Sequence, residues 1–304
     1  MQQVASRHTE SYLWCAFFVL MESFQTVYFG TVLQQISPFL LGSAVFGISS
    51  AISVALSIWL DPEQLGRIRA HLWPLLRVNL FGTIAWLSYL FSMKNIEPAV
   101  AFTVFSASIP LTIIYLENTR QDAIGRFGSM LLFGSIGYLG IISVLGFTGF
   151  QSAEMHVTAL SILGCAVAGV SISVVLLQSK ALNLAGLSSL SVFGLRFILF
   201  ALLSGLAYLF FDAGTAPFNP DVAWIIFLGV LLLALPLYAV QRAIDIADAR
   251  TVGVFTAFTP LGVVLLQVIE NRVEFSIATV VGICVYATGA VMLAFNEVKK
   301  KNHG

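Results

Sequence analysis

The chain of 304 residues is too apolar and too weakly charged to cover its surface in water. Apolar residues make up 58% of it and charged residues 10%, and its mean hydropathy is +0.92. A soluble domain carries about 25% charged residues, so the composition predicts an integral membrane protein. The formal net charge of zero and the lack of a basic patch argue against nucleic acid as a partner.

Ten apolar runs, each of about 20 residues, follow one another along the chain, and a helix needs that length to cross a bilayer. We predict them at 12–33, 38–60, 73–93, 98–116, 127–147, 157–179, 187–210, 222–240, 251–269 and 277–295. The first run is too long for a cleaved signal peptide and has no small-residue cleavage site, so we expect it to be retained. The pattern predicts an all-α integral membrane protein with ten transmembrane helices.

The lysines and arginines predict the orientation of these spans. With the N-terminus in the cytoplasm, 12 of the 15 basic residues fall on the cytoplasmic side. The outer loops receive Lys94 and Arg272, and Arg196 lies within a span. Positive charge accumulates on the cytoplasmic side of membrane proteins, so we expect both termini in the cytoplasm.

One short phrase occurs twice, 150 residues apart. Residues 99–111 read AVAFTVFSASIPL, residues 249–261 read ARTVGVFTAFTPL, and six of the 13 positions are identical. We therefore predict two five-helix repeats, at 1–150 and 151–304. Because each repeat has an odd number of spans, the second is inverted in the membrane, an architecture typical of transporters.

The repeated A…F-S/T-A…P-L pattern resembles the EamA branch of the drug/metabolite transporter superfamily. The acidic turn Glu270-Asn-Arg-Val-Glu274, followed by Gly282 and Gly289 in the last span, resembles the end of that family's domain. The resemblance covers the whole chain. It implies a secondary active transporter of the bacterial inner membrane that exports a small metabolite, such as an amino acid or related compound, or a toxic organic molecule. Alternating access is the implied mechanism.

Other functions stay open at this point. A nucleotide-sugar or triose-phosphate carrier of the same superfamily would need more cationic groups for its anionic substrate than one intramembrane arginine. A membrane-embedded enzyme would need clustered acidic or histidine residues at the membrane surface, for which 61–63 and 245–248 are the candidates. Both resemble solvated helix-end charges, so we do not expect an enzyme. A receptor or lipid scavenger is a further alternative.

We expect neither a metal nor another cofactor. The three cysteines and four histidines have no ligand spacing. The G-x-x-x-x-G-K-[ST] motif of nucleotide-driven proteins is absent from the sequence, so direct ATP drive is not supported. The expected partners are a small-molecule substrate, the lipid bilayer and protons as a coupling ion, with the chain as a monomer or homodimer.

The two copies of the repeated phrase place a proline in the fourth and ninth spans. Pro110 and Pro260 cannot bond to the carbonyls of Ser106 and Thr256, four residues earlier. We predict a substrate-facing kink in each half, with an unpaired carbonyl beside a hydroxyl. The alternative is that the two hydroxyls only form hydrogen bonds with the backbone carbonyls that the prolines leave unpaired.

A glutamate occupies the centre of the first span. Helical spacing places Glu22 and Gln25 on one side of that helix, and charged residues inside a membrane are expensive and usually functional. The carboxyl would couple protons, bind a cation or form a static ion pair with Arg196 of the seventh span. The counterpart of Arg196 in the first repeat is Phe46. If the pair forms, each group keeps the other ionised and Glu22 would carry protons poorly.

Polar and aromatic residues of the third and eighth spans complete the candidate site. An aromatic wall with few polar groups is typical of small-molecule sites, although aromatic stripes also serve as helix-packing surfaces. The predicted lining residues are Asn79, Trp86, Tyr89, Phe105, Tyr238, Gln241 and Phe255.

Overall fold

The computed structural model describes residues 2–33, 36–118, 121–150, 154–212, 220–246, 255–271 and 273–302. Residues 249–254 of the second repeated phrase lie outside these ranges, as do Asp248 and Arg272. The side chain of Asp245 is likewise not described. Within the described ranges every regular element is a helix.

In the described part of the chain ten helices form the body of the protein, and a further short helix, Gln64–Ala70, lies between the second and third of them. In chain order they are α1 Gln2–Val32, α2 Pro38–Leu60, α3 Leu72–Asn95, α4 Pro98–Leu116, α5 Ala123–Val144, α6 Met155–Leu184, α7 Ser189–Phe211, α8 Pro220–Ile246, α9 Thr259–Glu270 and α10 Ile277–Asn302.

Nine of these described helices are long and apolar enough to cross a membrane. The exception is α9, which has 12 residues. Its predicted span, 251–269, begins outside the described residues, so ten spans remain a prediction. The other nine lie where hydropathy predicts them, because uninterrupted apolar runs of this length form helices in lipid.

Local chemistry fixes several of the helix starts. Pro38 and Pro98 each occupy the first position of a helix, where the missing N–H would have no partner in any case. Ser37 accepts hydrogen bonds from the backbone of residues 39 and 40. Asp122 and Ser188 cap α5 and α7 in the same way.

Two of the spanning helices are irregular in their interior. A π-helical turn, Gly42–Phe46, lies within α2. In α7 one helical segment ends at Leu195 and the next begins at Ile198, with Arg196 and Phe197 forming the junction. Irregular backbone inside a membrane is tolerated where it faces protein or a cavity rather than lipid.

The outer surface of the bundle is apolar while polar groups lie inside. Large side chains such as Trp59, Phe133 and Phe210 are between 65% and 80% exposed. Glu22 and Arg196 are instead buried. This distribution suits a lipid environment, because an apolar surface of such extent is not stable in water.

One end of the bundle is tied together by polar contacts around Gln64, and we call it the Gln64 side. The side-chain oxygen Oε1 of Gln64 accepts hydrogen bonds from Ser188 N at 2.9 Å and Ser191 Oγ at 3.0 Å, which join the α2–α3 connection to the start of α7. Arg67 pairs with Asp61 at 3.1 Å and with Glu63 at 2.6 Å. The hydrogen bond from Gln64 lowers the pKa of Asp61. The carboxylates of Asp61 and Glu63 therefore help to stabilise the α2–α3 connection.

Candidate functional site

Glu22 lies near the centre of the first spanning segment and is 6% exposed. Its Oε2 atom has no hydrogen-bond partner among the described residues. The next residue, Ser23, donates a hydrogen bond to the Thr259 carbonyl of α9 at 3.3 Å. A side chain on Gly262 would clash with Ser23, so α9 approaches α1 closely beside Glu22.

Arg196 lies at the junction within α7 and is 3% exposed. Its guanidinium carbon is 4.6 Å from the centre of the Phe197 ring and 5.5 Å from that of Phe193, which are cation–π distances. Its Nε atom has no hydrogen-bond partner among the described residues. Arg196 and Glu22 interact electrostatically.

Aromatic rings of four helices pack beside these charges. The Trp86 ring centre is 4.6 Å from that of Phe46 and 6.1 Å from that of Phe197. Tyr89 is 4.9 Å from Phe105 of α4, and its hydroxyl lies near Glu22. The structure therefore brings the predicted residues Trp86, Tyr89 and Phe105 together with Glu22.

Further buried polar groups lie along α1 and at the start of α9. Gln25 and Thr259 are 2% and 0% exposed, and each has a side-chain oxygen without a partner among the described residues. Gln25 is three residues from Glu22 and so lies on the same helix face. We call Glu22, Gln25, Trp86, Tyr89, Phe105, Arg196 and Thr259 the central site.

The two repeated prolines have different surroundings, which corrects the prediction of two equivalent kinks. Pro110 lies inside the continuous helix α4, four residues after Ser106, which is buried beside Tyr286 of α10. Pro260 instead lies in the first turn of α9, after a turn at residues 257–258. A proline there breaks no helical hydrogen bond. Thr256 precedes that turn and has interactions of its own.

Asn79 has a structural role in the α7 junction. Its amide nitrogen donates to the carbonyls of Leu75 at 3.0 Å and Leu195 at 2.7 Å, and its oxygen accepts from Leu199 N at 3.0 Å. These bonds satisfy backbone groups that the interrupted helix leaves unpaired. The Asn79 amide is therefore occupied by protein rather than directed at a ligand.

The predicted residues of α8 and of the segment before α9 lie elsewhere along α1. The Tyr238 ring is 6.0 Å from Trp14, and Phe255 stacks on Tyr12 at 5.9 Å. Tyr12 is ten residues from Glu22, or about 15 Å along a helix. Gln241 is fully buried three residues beyond Tyr238, and its amide has no partner among the described residues. This second group is separate from the central site.

Comparison with known proteins agrees with this architecture. Residues 159–295 match the model of the EamA-like transporter family. We call these matched residues, 159–295, the EamA-like domain. Family members are membrane transporters of the drug/metabolite type, so the resemblance in the sequence is confirmed at that level. No curated protein matches the chain.

Solved structures extend the similarity in fold to nearly the whole chain. Sixteen chains from solved structures match this protein. One, described as "Crystal structure of protein", covers 94% of this chain and 95% of its own, with 21% identity and a TM-score of 0.63. At that identity the likeness concerns the fold alone.

The EamA-like domain and the segment before it contribute unequally to the central site. Arg196 and Thr259 belong to the domain, whereas Glu22, Gln25, Trp86, Tyr89 and Phe105 precede it. The central site thus lies between the two halves of the chain.

Sequence reasoning missed one buried carboxyl of the first half. Glu97 lies between α3 and α4 and is 5% exposed. It contacts Thr279 and Gln267 of the EamA-like domain. The available signal was an acidic residue directly before the proline that begins a helix.

Proposed function

We propose that this protein is a secondary active transporter that exports a small metabolite or a toxic organic molecule by alternating access. The substrate binds at the central site, between the first half of the chain and the EamA-like domain. Both termini lie in the cytoplasm, and the two halves are inverted five-helix repeats. The twelve basic residues predicted on one side of the membrane support this orientation.

The observation that carries the proposal is the set of buried polar atoms without protein partners. Among the residues that the structure describes, the atoms without a partner here include Glu22 Oε2, Gln25 Oε1, Arg196 Nε and Thr259 Oγ1, from three different helices. An unsatisfied buried polar atom costs about 1–3 kcal/mol, and a charged one costs more. Four such atoms in one region are expected where a ligand or water satisfies them during function.

The aromatic rings beside these atoms suit the body of an organic molecule. Small-molecule sites combine apolar walls with a few oriented polar groups, and Trp86, Tyr89 and Phe105 supply the walls. The region is closed in this conformation, since each of the seven central-site residues is buried or only partly exposed. An occluded site between two halves is one of the states that alternating access requires.

Irregular backbone near the central site supports movement between states. The π-helical turn of α2 ends at Phe46, and the junction of α7 begins at Arg196, its counterpart in the predicted repeat. Interrupted helices at corresponding positions of two halves are typical of transporter binding sites. These positions are candidates for hinges because they already lack regular helical hydrogen bonds.

A ligand screen followed by a flux measurement tests the proposal. Purified protein is screened by thermal shift against small organic compounds, and each hit is then measured for counterflow in proteoliposomes. We expect at least one compound to stabilise the wild type and to exchange across the membrane. Arg196→Gln and Gln25→Ala should abolish both effects. Ser179→Ala should abolish neither, because this buried serine lies on α6 towards the Gln64 side.

Two results would overturn the proposal. One is saturable transport that persists unchanged in both central-site variants, provided that they remain folded. The other is a set of stabilising compounds that exchange no faster in proteoliposomes than in protein-free liposomes.

A further inference from the structure

A single carboxylate joins three separate segments at the end of the bundle opposite Gln64. Glu97 Oε2 accepts hydrogen bonds from Gly149 N at 3.2 Å and from Thr279 Oγ1 at 2.9 Å. Gly149 lies in the connection after α5, and Thr279 lies in the first turn of α10. We call this end the Glu97 side, and the sequence predicts that it faces the outside.

Backbone contacts around Glu97 hold two connecting segments against each other. Glu274 N donates to the Gly149 carbonyl at 2.8 Å, and Ser276 Oγ donates to the Phe147 carbonyl at 2.7 Å. A side chain on Gly149 would collide with the Glu274 carbonyl. The segment 147–149 therefore packs directly on the segment that precedes α10, with Glu97 beneath both.

A small cavity lies beside Glu97 and the end of α9. Gln267 lies beside Glu97 and is 3% exposed, so its amide can accept from a protonated carboxyl as well as donate to an ionised one. The residues that line the cavity include Glu97, Val264, Gln267, Glu274, Ser276 and Thr279.

The charge of Glu97 has no basic counterpart within 4.0 Å among the described residues. The titratable groups of the elements packed here are Lys94 at the end of α3, Glu270 at the end of α9 and Glu274 before α10; Arg272 lies outside the described residues. Burial raises the pKa of Glu97 to about 7, although its bonds to Thr279 and Gly149 act in the opposite direction.

We propose that Glu97 is a proton-binding site that latches the Glu97 side of the protein. The protonated carboxyl donates to the Gln267 amide while its Oε2 atom accepts from Gly149 and Thr279, so the segments stay closed. When the proton leaves to solvent, the carboxylate is buried without a basic counterpart among the described residues, which is unfavourable. This side then opens so that water can reach the charge. The proposal does not depend on transport at the central site.

Thiol labelling at the cavity tests the latch without any substrate. Val264→Cys is introduced after the native cysteines have been replaced, and the rate of maleimide labelling is measured in lipid nanodiscs. Leu145→Cys, at an exposed residue on the same side, corrects for the pH dependence of the reagent. As pH rises from about 6 to about 8, we expect the corrected rate to rise by about fivefold, which corresponds to the loss of one net hydrogen bond.

Three variants distinguish opening of the latch from a general loosening of the fold. Glu97→Gln mimics the protonated form, so its corrected rate should be low and independent of pH. Glu274→Gln, a matched change on the facing segment, should retain the wild-type profile. Thr279→Ala removes one donor and should raise labelling near pH 6 even if Glu97→Gln fails to fold. A corrected wild-type rate that does not change with pH would overturn the proposal, as would Glu97→Gln or Thr279→Ala variants that label like the wild type.

Discussion

Glu22 and Arg196 are both buried and interact electrostatically, yet no nitrogen–oxygen contact within 4.0 Å joins them among the ion pairs of the described residues. Glu22 interacts electrostatically with Tyr89, and Arg196 lies over aromatic rings. Each of the two charged residues has a polar atom without a partner among the described residues. A static ion pair would instead satisfy both groups directly. This geometry favours a role in substrate contact or coupling.

Glu22→Gln should separate driven transport from exchange. The amide keeps the shape of the protonated carboxyl but cannot release a proton. We expect pH-driven accumulation of substrate in proteoliposomes to fall to background, while exchange between compartments of equal composition continues. Glu154→Gln, at an exposed residue, is the control and should behave like the wild type.

Two outcomes of that experiment would assign Glu22 another role. Accumulation that continues at the wild-type rate would exclude it as the coupling group. Loss of both activities together with poor expression, restored by also changing Arg196 to glutamine, would identify a structural pair. Double-mutant behaviour of this kind isolates the interaction between two groups.

The two repeated prolines should differ in their effects. Pro110→Ala restores a backbone donor inside α4 and removes the ring clash with the preceding turn. This change should straighten the helix beside Ser106 and reduce transport at matched expression. Pro260→Ala alters only the first turn of α9, so it should leave transport within about twofold of the wild type, as a change of a few tenths of a kcal/mol would. Equal losses in both variants would contradict this distinction.

Asn79→Leu should destabilise the protein by removing the bridge across the α7 junction. The change leaves the Leu195 carbonyl and the Leu199 N–H without their partner, and each buried unpaired group costs about 1–3 kcal/mol. We expect a lower thermal midpoint in detergent. Asn95→Leu is the matched control, because among the described residues the Asn95 side chain bonds to Phe91 of its own helix and to no other residue. Equal midpoints for the two variants would show that the junction does not depend on Asn79.

The positions of the helices were predictable because the bilayer imposes a simple requirement on the sequence. Runs of about 20 apolar residues must be helical, since their backbone polar groups have no other partner in lipid. The break in α7 was not predictable in this way. The break depends on the hydrogen bond between Asn79 and the Leu195 carbonyl, 116 residues away in sequence. A hydropathy profile does not detect a contact between residues so far apart.

The central site was predictable in part. Helical spacing identified the inward face of α1 and the aromatic residues of α3, because polar side chains in a membrane helix face protein. Helical spacing does not give the depth in the membrane of residues on other helices. Tyr238 and Phe255 were therefore predicted beside Phe105, although the structure places them at Trp14 and Tyr12 of α1. Glu97 was missed because its partners Gly149 and Thr279 are 52 and 182 residues away.

The pH dependence of stability gives a test of Glu97 that is separate from labelling. Its pKa is about 7 in the folded protein and near 4.5 when unperturbed. Below pH 4.5 the carboxyl is protonated in both states. Between these values the unfolded state releases a proton that the folded state retains, so folding stability decreases as pH rises. Above pH 7 both states are ionised and the contribution is constant.

Glu97→Gln removes this titration and should change the slope of stability against pH. The difference in unfolding free energy between variant and wild type should shift in favour of the variant by up to about 3 kcal/mol between pH 4.5 and pH 7. Thermal midpoints measured across this range, with Glu274→Gln as the control, give the comparison. Because Glu274 is exposed, its variant should follow the wild-type curve. Parallel curves for Glu97→Gln and the wild type would mean that the buried carboxyl takes up no additional proton on folding.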